Sequence, residues 1–364
     1  MGPSEVDVRA AVSAVDDPDL RRGVDELGMV RGVQLNRRSV TVELAVPSRG
    51  WTGRDELVRR TVESVGAVSG VSEVQVVIGV MDDHERTRLL GEIAGPNGPN
   101  RFTTPGTKTR VVAVSSGKGG VGKSSVTVNL AIALAARGFD VGLLDADVYG
   151  FSVPAMMGVE RGPAAIDTLL VPPVVHGVRC LSMGFFVDDE QPVIWRGPML
   201  HKALEQFLVD AYWGEPDFLL VDMPPGTGDV ALSMSQYVPR TEVVVVTTPQ
   251  SAAGRVAQRA AFAAKTLKLP VRGVIENLSW FTGDDGKRYE LFGRGGGTAI
   301  AEALGVPLLG QIPLVPALRV GGDEGVPVVV SDPGGEAAAS FDALAARLVD
   351  LGPTRIYRRE LSVR

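Results

Sequence analysis

The sequence predicts a doubly wound, mainly parallel α/β sheet that is preceded by a smaller α/β domain. Short apolar runs with the length of buried strands alternate with segments whose apolar residues have helical spacing. Three of the runs end in an acidic or amide residue, where open α/β sheets bind ligands. The runs lie at 111–114, 140–145, 218–222, 243–248 and 271–277.

A glycine-rich loop joins the first of these runs to a helical segment. Its glycines let phosphate oxygens approach backbone N–H groups, and the helix directs its positive dipole end at the anion. Lys123 is suited to neutralise β- and γ-phosphates, and the Ser124 hydroxyl can coordinate Mg²⁺. Strand, loop and helix in this order indicate a P-loop, with the nucleotide-binding segment Gly117-Lys118-Gly119-Gly120-Val121-Gly122-Lys123-Ser124-Ser125.

Composition excludes several classes of protein. The net charge of −6 argues against a general nucleic-acid binder, and no apolar run approaches the roughly 20 residues that span a membrane. The first residues lack the apolar core of a signal peptide, so a cytoplasmic location is expected. The one cysteine, Cys180, forms no intrachain disulfide and lies in an apolar run, where a buried thiol is expected.

Four segments are predicted along the chain. Residues 1–82 form the small α/β domain, and the breaker-rich stretch 83–108 is a linker. Residues 109–352 form the nucleotide-binding domain, and 353–364 a basic tail. In the first domain, apolar spacing predicts helices at 6–15 and 56–65 and strands at 29–35, 39–46 and 71–80.

Acidic residues follow two strands of the larger domain. Asp145 could hold the hydration shell of a metal, and Asp147 lies two residues further on; either could instead cap the next helix. Asp222 ends the apolar run 218–222, as a Walker B residue does, and is a candidate for Mg²⁺ coordination, directly or through water.

One residue makes the loop more specific. Lys118 directly follows its first glycine, and the loop resembles the deviant Walker A motif Lys-Gly-Gly-x-Gly-Lys-Ser/Thr. The resemblance implies that Lys118 reaches across a dimer interface to the nucleotide of the other subunit, as an arginine finger does. The alternative is a solvated lysine.

From 109 to about 350, the chain resembles the Mrp/ApbC-type iron–sulfur cluster carrier ATPases, most clearly in the loop, in the Asp145–Asp147 segment and at 276–281 and 291–297. The resemblance implies that Asp147 orients the attacking water, that Asn277 hydrogen-bonds adenine and that Pro313 packs against the base, which favours ATP over GTP. It also implies a switch II segment that senses the γ-phosphate: Pro224, Pro225, Gly226, Thr227, Gly228 and Asp229.

The cluster ligands are where this chain departs from the family. Family members typically carry Cys-x-x-Cys between those two stretches, but 282–287 holds no cysteine. Residues 1–82 resemble the MIP18-type domain of some iron–sulfur assembly proteins, again without the cysteine expected in the loop 47–53, which favours a packing or partner-binding role. A cluster could be held through Cys180 pairs or a partner's cysteines, or cluster binding could be lost.

The resemblance implies a homodimeric enzyme that binds and hydrolyses ATP with Mg²⁺ and transfers clusters to apo iron–sulfur proteins or works with assembly factors. The cofactors expected are ATP, Mg²⁺ and a [4Fe–4S] cluster of unknown ligands. One alternative is a scaffold or ParA/MinD-like partner-switching ATPase without a cluster; another is a protein that only binds nucleotide. The tail is short and contains Pro353, which argues against a membrane-binding helix.

Overall fold

The computed structural model describes residues 2–94, 102–103, 106–186, 197–226, 228–250 and 264–354. Its first part is a three-stranded sheet of order β1-β2-β3, in which β1 and β2 are antiparallel and β2 and β3 are parallel. The elements match the predicted ones within two residues: α1 Glu5–Ser13, β1 Val30–Asn36, β2 Ser39–Val46, α2 Arg54–Gly66 and β3 Glu73–Val80.

A third helix, α3, runs from Asp83 to Ala94, where the sequence predicted the start of a linker. The prediction is wrong here because Leu89 and Ile93, four residues apart, point into the core that α1, α2 and β2 form. Glycine and proline begin only at Gly95. The remaining domain boundaries stay predictions.

The larger part is built around an eight-stranded sheet of order β15-β12-β11-β4-β10-β5-β9-β8. Its strands are parallel except for β8, which pairs antiparallel with β9 at the edge. This confirms the predicted doubly wound, mainly parallel fold. The strands are β4 Arg110–Ser116, β5 Val141–Asp145, β8 Val174–Val175, β9 Val178–Ser182, β10 Phe218–Asp222, β11 Glu242–Thr247, β12 Val271–Glu276 and β15 Leu308–Gln311; the short antiparallel pair β6 Ala164–Ile166 and β7 Leu169–Val171 lies outside this sheet.

Helices cover both faces of this sheet, as fully apolar central strands require. One face packs against α4 Lys123–Ala136 and the last described helix, through Val126, Leu130 and Phe341. The other packs against residues such as Leu204, Met234 and Ile300. The remaining helices are α5 Val153–Met156, α6 Gly197–Val209, α7 Asp229–Tyr237, α8 Gly296–Leu304, α9 Pro316–Glu324, α10 Val328–Ser331 and α11 Glu336–Asp350.

Helices α6 and α7 were not predicted from the sequence. The apolar spacing after the run 243–248 predicts a helix at 252–267, which lies mostly outside the described residues; those described are helical at 264–266. Within the described ranges, no helix combines the length and apolarity needed to cross a membrane.

The two parts meet beside β5 and β9. Arg21 and Arg179 both contact the Asp140 carboxylate, with Nη1 atoms 2.9 and 2.7 Å from Oδ1. The Tyr212 hydroxyl donates to the Leu20 carbonyl at 3.3 Å. The core of the small domain also takes in apolar residues of the larger one, including Ile166. Charged and apolar contacts therefore join the two parts.

Candidate nucleotide site

The P-loop runs from the end of β4 to the start of α4, as predicted. Gly120 and Gly122 have φ angles of +79° and +77°, a conformation that favours glycine. Gly122 precedes the first residue of α4, so the unpaired N–H groups of that helix face the loop. The loop lines a cavity of about 240 Å³ together with Asp147 and Pro225. This is the anion-binding geometry that the sequence predicted.

Lys123 and Ser124 line this cavity, and both contact the carboxylate of Asp222, which is buried behind them. The Lys123 ammonium is 2.6 Å from Asp222 Oδ2, and the Ser124 hydroxyl donates to the same oxygen at 2.6 Å. The Thr127 hydroxyl donates to Asp222 Oδ1 at 2.8 Å. The Asp222 carboxylate is completely buried, so these donors stabilise its charge. A hydroxyl beside a carboxylate oxygen is a donor set that fits Mg²⁺.

Asp145 lies next to Asp222, because the two residues are paired in register at the ends of β5 and β10. The Ser182 hydroxyl donates to Asp145 Oδ2 at 3.0 Å, and the Asp147 amide donates to Oδ1 at 3.1 Å. Burial, reinforced by the Asp222 charge, raises the pKa of Asp145 to about 7. The bond from the Asp147 amide to Asp145 fixes the start of the segment that carries the Asp147 side chain.

Asp147 lies at the wall of the cavity. Its Oδ2 is 3.9 Å from the Lys123 ammonium, and its Oδ1 accepts the Gly150 amide at 3.1 Å. Burial raises the pKa of Asp147, against the opposing effect of the Lys123 charge. The carboxylate is 10 % exposed, so one side of it is open to the cavity, where a water molecule would be bound.

The predicted switch II segment starts directly after β10. Gly226 has a φ of +96°, and its amide donates to the Ser116 carbonyl at 3.0 Å, which ties the segment to the P-loop. Pro225 lines the cavity, and Asp229 begins α7. Gly228 precedes that helix in extended conformation, and Thr227 lies outside the described residues.

Asn277 and Pro313 are both buried, and neither lines the cavity. The Asn277 amide nitrogen donates to the Val121 carbonyl at 2.9 Å, and its oxygen has no partner among the described residues. A Cβ at Gly122 would lie 2.3 Å from that nitrogen. Asn277 thus contacts the loop backbone directly.

Lys118 lines the cavity and is half-buried. Within the described part of the chain, no carboxylate lies within ion-pair distance of its ammonium, unlike that of Lys123. Its charge is therefore available to an anion, on this chain or on another.

The cysteine-free segment 282–287 consists of the last residue of the short strand β13 Phe281–Thr282 and the turn that leads to β14 Arg288–Tyr289. Asp285 accepts the Lys287 amide at 3.0 Å and the Tyr289 hydroxyl at 2.9 Å, and these bonds lower the pKa of Asp285. The turn carries carboxylates and no thiolate, so its donors do not fit an iron–sulfur cluster.

Cys180 does not fill this role either. It lies in β9 between β5 and β8 and is completely buried, and burial raises the pKa of its thiol. Among the described residues, no group of three or more His, Cys, Asp or Glu side chains is arranged to hold a metal. These findings make a cluster shared between Cys180 pairs incompatible with this packing.

The sequence analysis missed two residues that hold the acidic side chains. Thr127 bonds Asp222, and its position four residues after Lys123, on the same face of the helix, was a usable signal. Ser182 bonds Asp145. It ends β9, and only the sheet order shows that this strand lies beside β5.

Known proteins are similar to this chain over most of its length. The sequence model of the NUBPL iron-transfer P-loop NTPases (ParA) matches residues 107–349. A curated iron–sulfur cluster carrier protein of Mycobacterium bovis is 47 % identical over 355 residues, 93 % of each chain.

Solved structures of other proteins are similar to about two thirds of this chain. An ADP-bound nucleotide-binding protein of Archaeoglobus fulgidus is 34 % identical, with a TM-score of 0.55 over 64 % of this chain and 93 % of the other. The septum site-determining protein MinD of Pyrococcus horikoshii, with Mg-ADP, is 26 % identical, with a TM-score of 0.51 over 67 % and 97 %. The chain therefore belongs to the NUBPL iron-transfer family of P-loop NTPases.

Proposed function

We propose that two copies of this chain bind and hydrolyse MgATP, and that this cycle drives the delivery of iron–sulfur clusters to apoproteins. The observation that carries the proposal is the contact of Lys123 and Ser124, which line the P-loop cavity, with Asp222. The names of the curated relatives, iron–sulfur cluster carrier proteins, support the choice of cargo.

In this proposal, Lys123 turns from Asp222 to the β- and γ-phosphates, and Ser124 and Asp222 would hold Mg²⁺, whose charge would stabilise the phosphates. Asp147 orients a water molecule, whose oxygen attacks the γ-phosphorus. The bond from the γ-phosphorus to the bridging oxygen breaks, its electron pair stays with ADP, and both hydrogens of the water leave with inorganic phosphate as H₂PO₄⁻. The segment 224–229 responds to the loss of the γ-phosphate.

The base and the second subunit complete the site. Asn277 and Pro313 lie on adjacent loops that are tied together, since the Ser279 amide donates to the Ile312 carbonyl at 3.0 Å. The contact of Asn277 with the backbone of the P-loop supports binding of the adenine at this end of the site. Lys118 supplies its charge to the nucleotide of the partner subunit.

The thiolates that hold the cluster come, in this proposal, from the donor and acceptor proteins. The sequence has one cysteine, which is buried, so two subunits together lack the four thiolates of a [4Fe–4S] site. The chain would then act on the protein that carries the cluster. A cytoplasmic location stays a prediction.

A second candidate is a scaffold or partner-switching ATPase without a cluster, which the cysteine-free turn at 282–287 favours. It shares the nucleotide chemistry and differs only in cargo. Reconstitution of an apo-ferredoxin with iron and sulfide separates the two candidates.

Mixing two inactive variants tests the dimeric ATPase site. Lys123→Ala and Lys118→Ala should each reduce turnover by about 100-fold or more, because each removes a charge from the phosphates. If Lys118 acts across the interface, a mixed dimer regains one complete site. Random mixing should then restore about a quarter of the wild-type activity.

The matched control is Lys287→Ala, which removes an exposed lysine far from the phosphates and should leave turnover unchanged. An equal mixture with no regained activity would show that Lys118 acts on its own subunit or not at all. Normal turnover by Lys123→Ala would contradict the whole assignment.

Anaerobic reconstitution with iron and sulfide tests the cargo. We expect no stoichiometric cluster on the chain alone, and the same iron content in wild type and Cys180→Ala. With an apo-ferredoxin as probe, wild type and MgATP should speed the appearance of the ferredoxin cluster, and Lys123→Ala should not. No acceleration, with ATPase activity intact, would favour the scaffold candidate.

A further inference from the structure

A second cavity, of about 730 Å³, opens at the amino-terminal edge of the large sheet. Its walls come from 107–110 at the start of β4, from 239–242 at the start of β11, from 268–270 before β12 and from 353–354. The P-loop follows the other end of β4. Seven residues of strand therefore separate the two cavities, about 20 Å at the usual rise per residue.

The charged side chains around this cavity are mostly basic. Lys108, Arg110, Arg240 and Lys268 line it, and Glu242 is its one acidic lining residue within the described ranges. Lys108, Arg240 and Lys268 are exposed. Glu242 contacts Arg110 Nη2 at 2.8 Å and the Thr354 amide at 2.6 Å, and Arg272 from behind at 3.5 Å. Its charge is therefore already compensated, and the cavity has a positive potential.

Arg110 is the buried member of this set, with a side chain that is 9 % exposed. Its two terminal nitrogens are used, by Glu242 at 2.8 Å and by the Leu348 carbonyl at 2.9 Å. Its Nε has no acceptor among the described residues. A buried N–H without a partner costs free energy, and Arg110 is one of the residues that line the cavity.

We propose that this cavity binds a small oxyanion with at least two negative charges. Lys108, Arg240 and Lys268 would neutralise the charge, and Arg110 would add its own charge from the wall of the cavity. The volume is within the range of small-molecule sites. Phosphate and carboxylate groups share this chemistry. The site is independent of the P-loop, and its existence does not depend on the proposed function.

Calorimetric titration with inorganic pyrophosphate and, separately, with citrate tests the proposal. The chain is first saturated with MgADP, so that the P-loop is filled. At least one of the two anions should bind, and the double variant Arg240→Glu/Lys268→Glu should weaken that binding by about tenfold or more. Both positions are exposed, so the variant should keep its far-ultraviolet circular dichroism and its affinity for ADP.

Lys287→Glu is the control, because it reverses an exposed charge on the hairpin β13–β14, and it should leave anion binding unchanged. Tighter binding of pyrophosphate would identify a phosphate site, and tighter binding of citrate a carboxylate site. Absence of binding by both anions, or equal affinities of wild type and the double variant, would overturn the proposal.

Discussion

At the scale of single residues, Asp17 shows what complete burial does to a carboxyl group. Its oxygens accept the Leu20 amide at 2.8 Å, the Asp19 amide at 3.1 Å and Trp51 Nε1 at 3.0 Å. Burial nevertheless raises the pKa of Asp17 from 3.8 to about 6, because loss of hydration outweighs these bonds. The residue thus holds the loop before α2 and is costly to ionise.

This shift predicts a pH dependence of stability. Between about pH 4 and 6 the folded chain keeps a proton that the unfolded chain releases, so the contribution of Asp17 to stability falls as the pH rises. Asp17→Asn removes this pH-dependent contribution to stability. The free energy of unfolding of the variant, relative to wild type, should rise by up to about 3 kcal/mol across that window.

Urea denaturation at several pH values measures this difference. The control is Asp16→Asn, an exposed neighbour, whose stability should follow that of wild type. Asp17→Asn is expected to be less stable than wild type at low pH. Its side chain has one acceptor oxygen, so it cannot accept both the two backbone amides and Trp51 Nε1. A difference from wild type that is independent of pH would contradict the prediction.

At the scale of elements, the hairpin β13–β14 is held by one carboxylate from α11. Glu336 accepts Trp280 Nε1 at 2.8 Å, the Thr282 hydroxyl at 2.8 Å and Arg288 Nη2 at 3.1 Å. Arg288 also stacks on the Trp280 ring, 4.3 Å from its centroid. Both strands of the hairpin are therefore attached to the same residue.

Glu336→Ala should cost about 1–2 kcal/mol of stability, since three donors lose their acceptor. It should also speed tryptic cleavage at Lys287 and Arg288, because the hairpin opens more often. Asp342→Ala, on the same helix, is the control. Its side chain is 62 % exposed, so the cost should be below about 0.5 kcal/mol. Equal cleavage rates for the two variants would contradict the role of Glu336.

The elements differ in how far the sequence determines them. The P-loop was predictable because strand, glycine pattern and helix are contiguous, and β10 matches its predicted run residue for residue. Helix α3 was missed because its two buried residues have meaning only beside the core they enter. The Ser182–Asp145 bond and the Asn277–Val121 contact join residues 37 and 156 positions apart, so they depend on the sheet order.

At the scale of the whole molecule, one charged contact between the two parts centres on Asp140. Its carboxylate is 30 % exposed, Arg179 is almost fully buried, and Arg21 is 39 % exposed. Asp140→Asn should cost about 2 kcal/mol, because it leaves the buried Arg179 without a charge partner. Arg21→Ala should cost less than about 1 kcal/mol, because the ion pair it removes is exposed to solvent.

Chemical denaturation of the full chain, followed separately by tryptophan fluorescence and far-ultraviolet circular dichroism, measures both costs. Trp51 reports on the small domain and Trp213 on the large one, since each is buried in the core of its own part. Similar losses in the two variants would show that burial of Arg179 does not govern this contact.

The attachment of the hairpin has a consequence for how this family can diversify. The turn at 283–287 is fixed by its own strands and by Glu336, and none of its residues touches the P-loop cavity. Asp284 and Lys287 are exposed and have the spacing of a Cys-x-x-Cys pair. Two point substitutions there would therefore replace a carboxylate and an ammonium by two thiolates without changing the nucleotide site. The binding of cargo and the hydrolysis of ATP can therefore change independently during the evolution of one chain.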